Sequence, residues 1–480
     1  MPPSRNNPPS VLFATPECVP LVKTGGLGDV SAALPAALAR LGHDVRVLLP
    51  GYPPVLDGTS GAREIARLTV LGRAVRLLES KLPSGVPLII ADAPTLFART
   101  GGPYQDATGD DWNDNALRFG VLSKVAAILG TEASPLEWRP DVVHCNDWPT
   151  ALAPLYLRFA RGRHAASLLT IHNLAFQGIF SFDQVKPLEL PPESVGLQGA
   201  EYYGKVSFLK GGIVYSSAVN TVSPTYAREI QTHELGFGLD GVLRQRSKDL
   251  FGVLNGIDTT MWNPQADPLI PAHYGPDTLD AKLTNKRALK QRLGLEGPHE
   301  VPLAAIVSRL THQKGIDIIA EAVPQLAKIP MQVALVGAGD RELVEKLRAA
   351  QQGFPEHLGV YIGFDEQAAH LVEAGADMFL MPSRFEPCGM NQMYSQRYGT
   401  PPVANATGGL VDTILDDETG YLMRELSAEG LVEAVQRGLG DYRDQSRWRR
   451  IQRAGMARDF GWASAARAYG EIYARVRSSA

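Results

Sequence analysis

Short apolar runs, each ending in a polar or glycine-rich loop and followed by apolar residues at helical spacing, recur along almost the whole chain. Val11-Leu12-Phe13-Ala14 has the unbroken apolar character of a strand buried on both faces. It runs through Thr15-Pro16-Glu17 into the loop Lys23-Thr24-Gly25-Gly26-Leu27-Gly28-Asp29. Leu27, Val30, Leu34, Leu38 and Leu41 then repeat at helical spacing, and Gly42 supplies a stop. Residues 43–49 form the next strand. A strand, a loop, a helix and a strand in that order are the unit of a doubly wound α/β sheet.

The pattern continues with strands over residues 86–91, 141–145 and 167–171, a helix over 204–215 and a strand from Ala218. Near residue 250 the composition shifts. Asn255-Gly256 is a turn signal, and residues 262–276 are rich in Pro, Asp and Asn. The second half restarts the same architecture, with strands over 301–307, 332–336, 360–362, 378–381 and 402–404. The expected organisation is a disordered tail over 1–10, one domain over 11–250, a second over 251–460 and a terminal helix from 461 to 480.

Composition narrows the class. A chain of 480 residues is too long for one compact core, and 44% hydrophobic with 20% charged content is that of a soluble globular protein. The net charge of −4 leaves no footprint for nucleic acid, and Arg447, Arg449, Arg450 and Arg453 read as a solvated helix face. Cys18, Cys145 and Cys388 are scattered and odd in number, without disulfide or metal spacing, which suits a reducing cytoplasm. The proline-rich first ten residues lack the apolar core of a secretory signal, and no run is long enough to span a bilayer. Neither a membrane nor a nucleic acid is an expected partner.

The candidate chemistry lies where strands end, since open α/β sheets bind ligands there. Ser383-Arg384-Phe385-Glu386-Pro387-Cys388-Gly389-Met390-Asn391 joins the strand at 378–381 to a helix, which puts Glu386 at the carboxyl edge of the sheet. A capping glutamate reads equally well from that loop alone. Arg309 and Lys314 flank another strand-to-helix loop. Cations at a helix start oppose its dipole unless an anion is expected, so the pair points to phosphate. Lys23 with Gly25 and Gly26 makes a similar start, matching neither the dinucleotide fingerprint nor the P-loop. Thr407-Gly408-Gly409 opens a further helix, and Asp147 and His172 follow two strands of the first half. The acidic loop containing Tyr104 lacks the ligand alternation of a calcium site and reads as a structural or substrate-side loop.

Taken together, Lys23-Thr-Gly-Gly-Leu, Asn146-Asp-Trp, Thr170-Ile-His-Asn-Leu, Gly252-Val-Leu-Asn-Gly-Ile-Asp, the Ser308–Gly315 loop, Ser383-Arg-Phe-Glu-Pro-Cys-Gly and Thr407-Gly-Gly-Leu resemble bacterial glycogen synthase and plant starch synthase. The resemblance runs from about Val11 to Tyr473. It implies two Rossmann-like domains facing a central cleft (the GT-B fold), with the terminal helix returning to the first. It also implies a retaining transferase that moves glucose from ADP-glucose to the non-reducing end of glycogen or another α-1,4-glucan. By the same resemblance Arg309 and Lys314 meet the diphosphate, and Glu386 orients glucose hydroxyls beside Cys388, Gly389, Met390 and Asn391. Lys23, Gly25, Gly26 and Asp29 close on the nucleotide sugar. His172, Asp147 and Asn255 line the sugar and acceptor side, with Tyr104 nearby, and Thr407, Gly408 and Gly409 complete the donor site.

No cofactor is expected. Metal-dependent glycosyltransferases commonly carry an Asp-x-Asp pair, and no two aspartates here are separated by one residue. Pro149, Phe364 and Asn405 depart from residues frequent in relatives, whereas Tyr394 is typical of the glycogen and starch synthases. The alternatives are a related transferase using UDP-glucose or a small acceptor, and a catalytically silent glucan-binding protein.

Overall fold

The computed structural model describes residues 8–478, which divide into two compact units. One holds the chain up to Gly256 together with the stretch from Trp462 onward, and the other is Ile257–Gly461.

The first unit is built on a nine-stranded sheet. In chain order its strands are β1 (Val11–Ala14), β2 (Val45–Pro50), β3 (Arg63–Val70), β4 (Arg73–Lys81), β5 (Pro87–Asp92), β6 (Val142–Asn146) and β7 (Ala166–Ile171). After a small three-stranded sheet of β8 (Ile179–Phe180), β9 (Glu201–Tyr202) and β10 (Lys205–Ser207), β11 (Ala218–Thr221) and β12 (Leu250–Gly252) complete it. The spatial order is β12-β11-β7-β6-β1-β2-β5-β4-β3. All pairings are parallel except those of β4, which runs antiparallel to both its neighbours. β1, β6 and β7 are buried along their whole length, β6 and β7 with polar residues such as His144, Asn146 and Thr170 included. The chain reverses its direction of sheet growth between β1 and β6, so the loops after those two strands flank the switch point where such sheets bind ligands.

Several elements differ from the sequence expectation. The β3–β4 hairpin has no Asn-Gly signal. Its turn places Leu71 at φ 50 and Gly72 at φ 70, a conformation that favours glycine at both positions but holds a leucine at one. Of the helix expected over 204–215, the first part is β10, and the helix begins only at Phe208. There the Ser207 hydroxyl accepts the Lys210 N–H at 3.1 Å and sets the start. β12 pairs in parallel with β11, so the first unit runs past residue 250 to Gly256. Residues 1–7 of the expected tail lie outside the described residues, but 8–10 are ordered. Ser10 donates through both its N–H (2.9 Å) and its hydroxyl (3.1 Å) to Asp141, and the Pro9 carbonyl lies 2.9 Å from His43 Nδ1.

The terminal helix Trp462–Ser478 packs into the core of this first unit through Trp462, Tyr469, Ile472, Tyr473 and Val476. The Tyr473 hydroxyl is 2.8 Å from His144 Nδ1, and Asn220 donates to the Tyr469 hydroxyl at 2.9 Å. A Cβ on Gly256 would press on the Trp462 backbone, so glycine is needed where the chain leaves the unit.

The second unit is a six-stranded parallel sheet of β13 (Leu303–Leu310), β14 (Gln332–Gly339), β15 (Leu358–Ile362), β16 (Met378–Met381), β17 (Pro402–Asn405) and β18 (Tyr421–Met423). Its order β15-β14-β13-β16-β17-β18 is the doubly wound order, with helices covering both faces. The switch point falls between β13 and β16. Trp262, from the loop-rich segment before β13, lies between the rings of His370 and Tyr394 at 3.9 Å from each. In the helix Gln445–Met456, Arg447 pairs with Asp441 and Arg449 with Asp280, which suits a solvated face. Among the described residues no helix is long and apolar enough to cross a membrane.

Candidate functional site

In the second unit the loops after β13, β16 and β17 converge. Lys314 ends a short turn (His312–Lys314), and Gly315 follows at φ 68 before the helix Ile316–Leu326. A Cβ on Gly315 would collide with the Pro382 carbonyl oxygen, so glycine lets the β13 loop lie flat on the β16 loop. The result is a contact 72 residues apart in sequence: Lys314 Nζ donates to Glu386 Oε2 at 2.5 Å. The Ser383 hydroxyl donates to the same oxygen at 3.1 Å.

A second tie braces these loops. The Arg384 guanidinium takes both oxygens of Asp317 at 2.8 and 2.7 Å and donates to the His312 carbonyl at 2.6 Å. Burial acts to raise the Asp317 carboxyl, but the bidentate arginine holds it below the usual carboxylate range. Asp317 sits in the first turn of the helix, where a negative charge suits the dipole. Acidic partners therefore already stand beside that helix start, and Arg309 and Lys314 oppose its dipole less than the sequence suggests. Arg309, at the end of β13, is exposed and pairs with no carboxylate among the described residues.

Gly409 donates its N–H to the Glu386 carbonyl at 3.0 Å, and a Cβ there would strike the Cys388 carbonyl oxygen. The loop after β17, with Gly408 at φ 46, thus meets the Glu386–Cys388 backbone at Gly409. Asn405 donates to the Ser383 carbonyl at 2.9 Å and ties the loop after β17 to the loop after β16. The Asn391 amide is spent on the Val307 carbonyl at 2.7 Å, which fixes the helix Asn391–Arg397 to β13 rather than offering a side chain to a ligand. Gly389 turns the chain at φ 71, Met390 precedes the helix and Cys388 is buried.

The first unit gathers a separate group at its own switch point. Asp147, after β6, has φ 55 and ψ −176, a region open almost only to glycine. Its Oδ1 accepts the N–H groups of His172 (2.7 Å) and Asn173 (3.4 Å), which holds the strained turn in place. Burial pushes its carboxyl up to about 7. Asn146 donates through Nδ2 to the Ala14 carbonyl at 3.0 Å, so its Oδ1 is the acceptor facing His172 Nε2 at 3.0 Å. His172 Nε2 therefore carries the proton, and Nδ1 is left as an acceptor. Burial lowers the imidazole to about 3 and keeps the ring neutral. His144, by contrast, is wholly buried between Thr170 and Tyr473 and belongs to the core.

Beside them, Lys23 Nζ is 2.8 Å from Asp29. Gly25 is extended (φ −147), and nothing lies within 4 Å of where a Cβ would stand, so it contributes open space and not an unusual turn. Gly26 begins the helix that follows. Tyr104 reaches this loop from the acidic segment. Asn255 is buried, and its Oδ1 has no hydrogen-bond partner among the described residues.

Each unit thus brings its predicted residues to one sheet edge: Lys23, Asp29, Tyr104, Asp147 and His172 in the first, Lys314, Glu386 and Gly409 in the second. Sequence reasoning passed over Glu17, Ser383, Arg384 and Asp317. Only the last three had a local signal, a polar or charged residue within or beside a loop already suspected.

Residues 10–245 match the family model for the starch synthase catalytic domain, and residues 290–454 match that for group 1 glycosyl transferases. The chain is 53% identical to a glycogen synthase of Aromatoleum aromaticum, over 98% of this chain and 97% of that one. It is 52% identical to a glycogen synthase of Nitrosomonas eutropha, over 96% and 95%. The fold is similar to the catalytic domain of starch synthase IV from Arabidopsis thaliana bound to ADP and acarbose. That match has a TM-score of 0.86 and 31% identity and covers 98% of this chain and 100% of that one. A sucrose-phosphate synthase from Thermosynechococcus elongatus shares the fold at a TM-score of 0.60 and 19% identity.

Proposed function

The chain belongs to the glycogen and starch synthase family, with the fold of GT-B glycosyltransferases, and from this we infer that it transfers glucose from ADP-glucose to the non-reducing end of an α-1,4-glucan. The anomeric configuration is retained, and the enzyme works in the reducing cytoplasm. The observation that carries the reading is the Lys314–Glu386 pair at 2.5 Å, a cation and a carboxylate set side by side at the switch point of the second sheet.

The chemistry follows from charge. Breaking the glucose–phosphate bond builds negative charge on the departing diphosphate, so fixed cations and amides placed for it lower the barrier. Arg309, exposed and unpaired, and Lys314, held by Glu386, supply the cations in this reading. Glu386 orients glucose hydroxyls. The backbone that follows Cys388, up to Asn391, and the Thr407-Gly408-Gly409 turn packed on it line the donor. Lys23, Gly25, Gly26 and Asp29 meet the nucleotide sugar from the first unit's loop. His172 offers a neutral Nδ1 to a sugar hydroxyl, with Asp147 and Asn255 on the same side.

The test is incubation with ADP-glucose and glycogen, measuring ADP formed. UDP-glucose and maltose run in parallel, and the new linkage is examined by NMR. Release of ADP with α-1,4 linkages is expected. Turnover of UDP-glucose alone, or no nucleotide release from either donor, overturns the reading.

A further inference from the structure

We propose that Glu17 is a positioning residue for the nucleotide-sugar donor, holding the Lys23–Gly26 loop and Tyr104 in the geometry that receives it. The inference rests on the reading that this loop meets the donor, and it adds a residue with no assigned part in that reading.

Glu17 lies on the loop after β1 and is only 3% exposed. Its Oε2 accepts the N–H groups of Thr24 (2.6 Å) and Gly25 (3.0 Å), and its Oε1 accepts the Tyr104 hydroxyl at 2.6 Å. Three donors from two segments, one 7 and the other 87 residues away, therefore meet on one buried carboxylate. The residue is itself fixed. The Thr15 hydroxyl donates to the Glu17 carbonyl at 2.9 Å and lies 2.8 Å from the Ser31 hydroxyl.

Gly25 precedes the helix Gly26–Arg40 and has no side chain to cap it. Glu17 instead accepts the N–H of that N-cap residue and of Thr24 before it, and its charge suits the positive end of the helix dipole. It also divides the donors of the loop. The Thr24 and Gly25 N–H groups are committed to Glu17, while the first N–H groups of the helix proper, at Gly26 and Leu27, have no intrahelical acceptor and remain for an anion. Lys23 stands beside them, steadied by Asp29. A glycine-containing loop without this anchor would have to be ordered by the donor itself, and that entropy would be lost from binding.

The consequence is a loss confined to one substrate. Glu17→Ala is expected to raise KM for ADP-glucose roughly tenfold, the scale of ordering one or two loop residues on binding. KM for glycogen and kcat should stay within about twofold, since the anchor acts on donor binding and not on the chemical step. Glu17→Gln keeps an oxygen for the amides but gives Tyr104 a weaker partner, and Tyr104→Phe breaks the same link from the other side. Each should raise the donor KM about threefold, and the Glu17→Ala/Tyr104→Phe pair should do no worse than Glu17→Ala alone.

Steady-state kinetics on all four variants, with Lys23→Ala as reference and melting curves for each, test this. A purely structural glutamate would lower the melting temperature and kcat without separating the two KM values, and that result overturns the proposal. Should Glu17→Ala fail to fold, an unchanged donor KM in both Glu17→Gln and Tyr104→Phe overturns it equally. Lys23→Ala separates the two levels of inference. If it leaves the donor KM unchanged, the loop does not meet the donor at all. If it raises the donor KM while the Glu17 variants do not, the loop reading stands and the anchor is wrong.

Discussion

Replacing Lys314 by Ala removes one partner of a pair whose other member stays behind. The side chain of Glu386 is 7% exposed and that of Lys314 19% exposed. Stranding one charge of a buried pair costs about 3–5 kcal/mol, and the partial exposure of the lysine brings the expected cost to ~2 kcal/mol. For a unit of this size that is a fall in melting temperature of roughly 4–8 °C. Catalysis should suffer more. Loss of one preorganised cation at a developing negative charge lowers kcat by ~10²–10³, with a smaller change in KM because the charge develops only in the transition state. Arg309→Ala should give a similar loss of kcat with no change in melting, since its side chain is exposed and unpaired. Lys314→Arg should rescue poorly, because a planar fork does not replace a compact ammonium between the two loops.

The two effects of Lys314→Ala separate in the double variant Lys314→Ala/Glu386→Gln. Removing the stranded charge should restore much of the melting temperature while ADP release stays low. Calorimetry and an ADP-release assay on the same preparations read both quantities. A folded Lys314→Ala enzyme that turns over ADP-glucose at the wild-type rate would refute the anion-site reasoning. A double variant that melts no higher than Lys314→Ala would refute the claim that Glu386 depends on this partner.

Gly409→Ala places a Cβ against the Cys388 carbonyl, so the β17 loop must shift off the β16 loop; a melting temperature and kcat equal to wild type would contradict the tight packing. Activity should survive a chelator in excess over all divalent ions, as the missing Asp-x-Asp pair and the two cations suggest; complete loss restored by magnesium or manganese would show that the leaving group is handled by a metal. His172 is held neutral below its ordinary value, so the unfolded chain takes up the proton first and stability falls as pH drops from about 6.5 toward 3. His172 is half-buried as a residue, which reduces the expected loss to ~1 kcal/mol at pH 5. The melting temperature of His172→Gln should therefore fall less between pH 8 and pH 5 than that of wild type, and equal falls would contradict the shift.

The sheets were legible because their cause is local. Residues 11–14 and 378–381 are apolar and buried on both faces, and 142–146 and 166–171 are buried throughout with His144, Asn146, Ser167 and Thr170 among their apolar residues, so short runs dominated by apolar residues mark all four. What escaped was set by contacts that leave no periodicity. The β3–β4 strands carry exposed arginines and a leucine in a turn conformation that glycine prefers, so neither alternation nor turn chemistry marks them. The unit boundary was displaced because Leu250–Gly252 is a three-residue edge strand, recognisable only from its partner Ala218–Thr221.

At the functional edge the same division holds, with a physical reason behind it. Glycines and lysines next to helix starts can be read from sequence because the backbone there has free donors whatever the rest of the chain does. The residues that set those donors in place cannot, because a carboxylate becomes an anchor only through partners brought to it by the fold. Glu17 and Tyr104 are 87 residues apart, Asp317 and Arg384 67, and Lys314 and Glu386 72. In each unit the groups suited to an anion are set against the protein's own acids: Lys23 against Asp29, the Thr24 and Gly25 amides against Glu17, Lys314 against Glu386. A diphosphate that engages Lys314 must exchange with or share its carboxylate partner, so part of the gross attraction is already spent in holding the loop. On the proposed reading, that arrangement trades donor affinity for a site that needs little reorganisation when charge develops, which is the condition under which fixed cations act on the chemical step. Arg309 stands apart, exposed and without an acidic partner among the described residues, and on the same reading is the cation that adds affinity as well as rate.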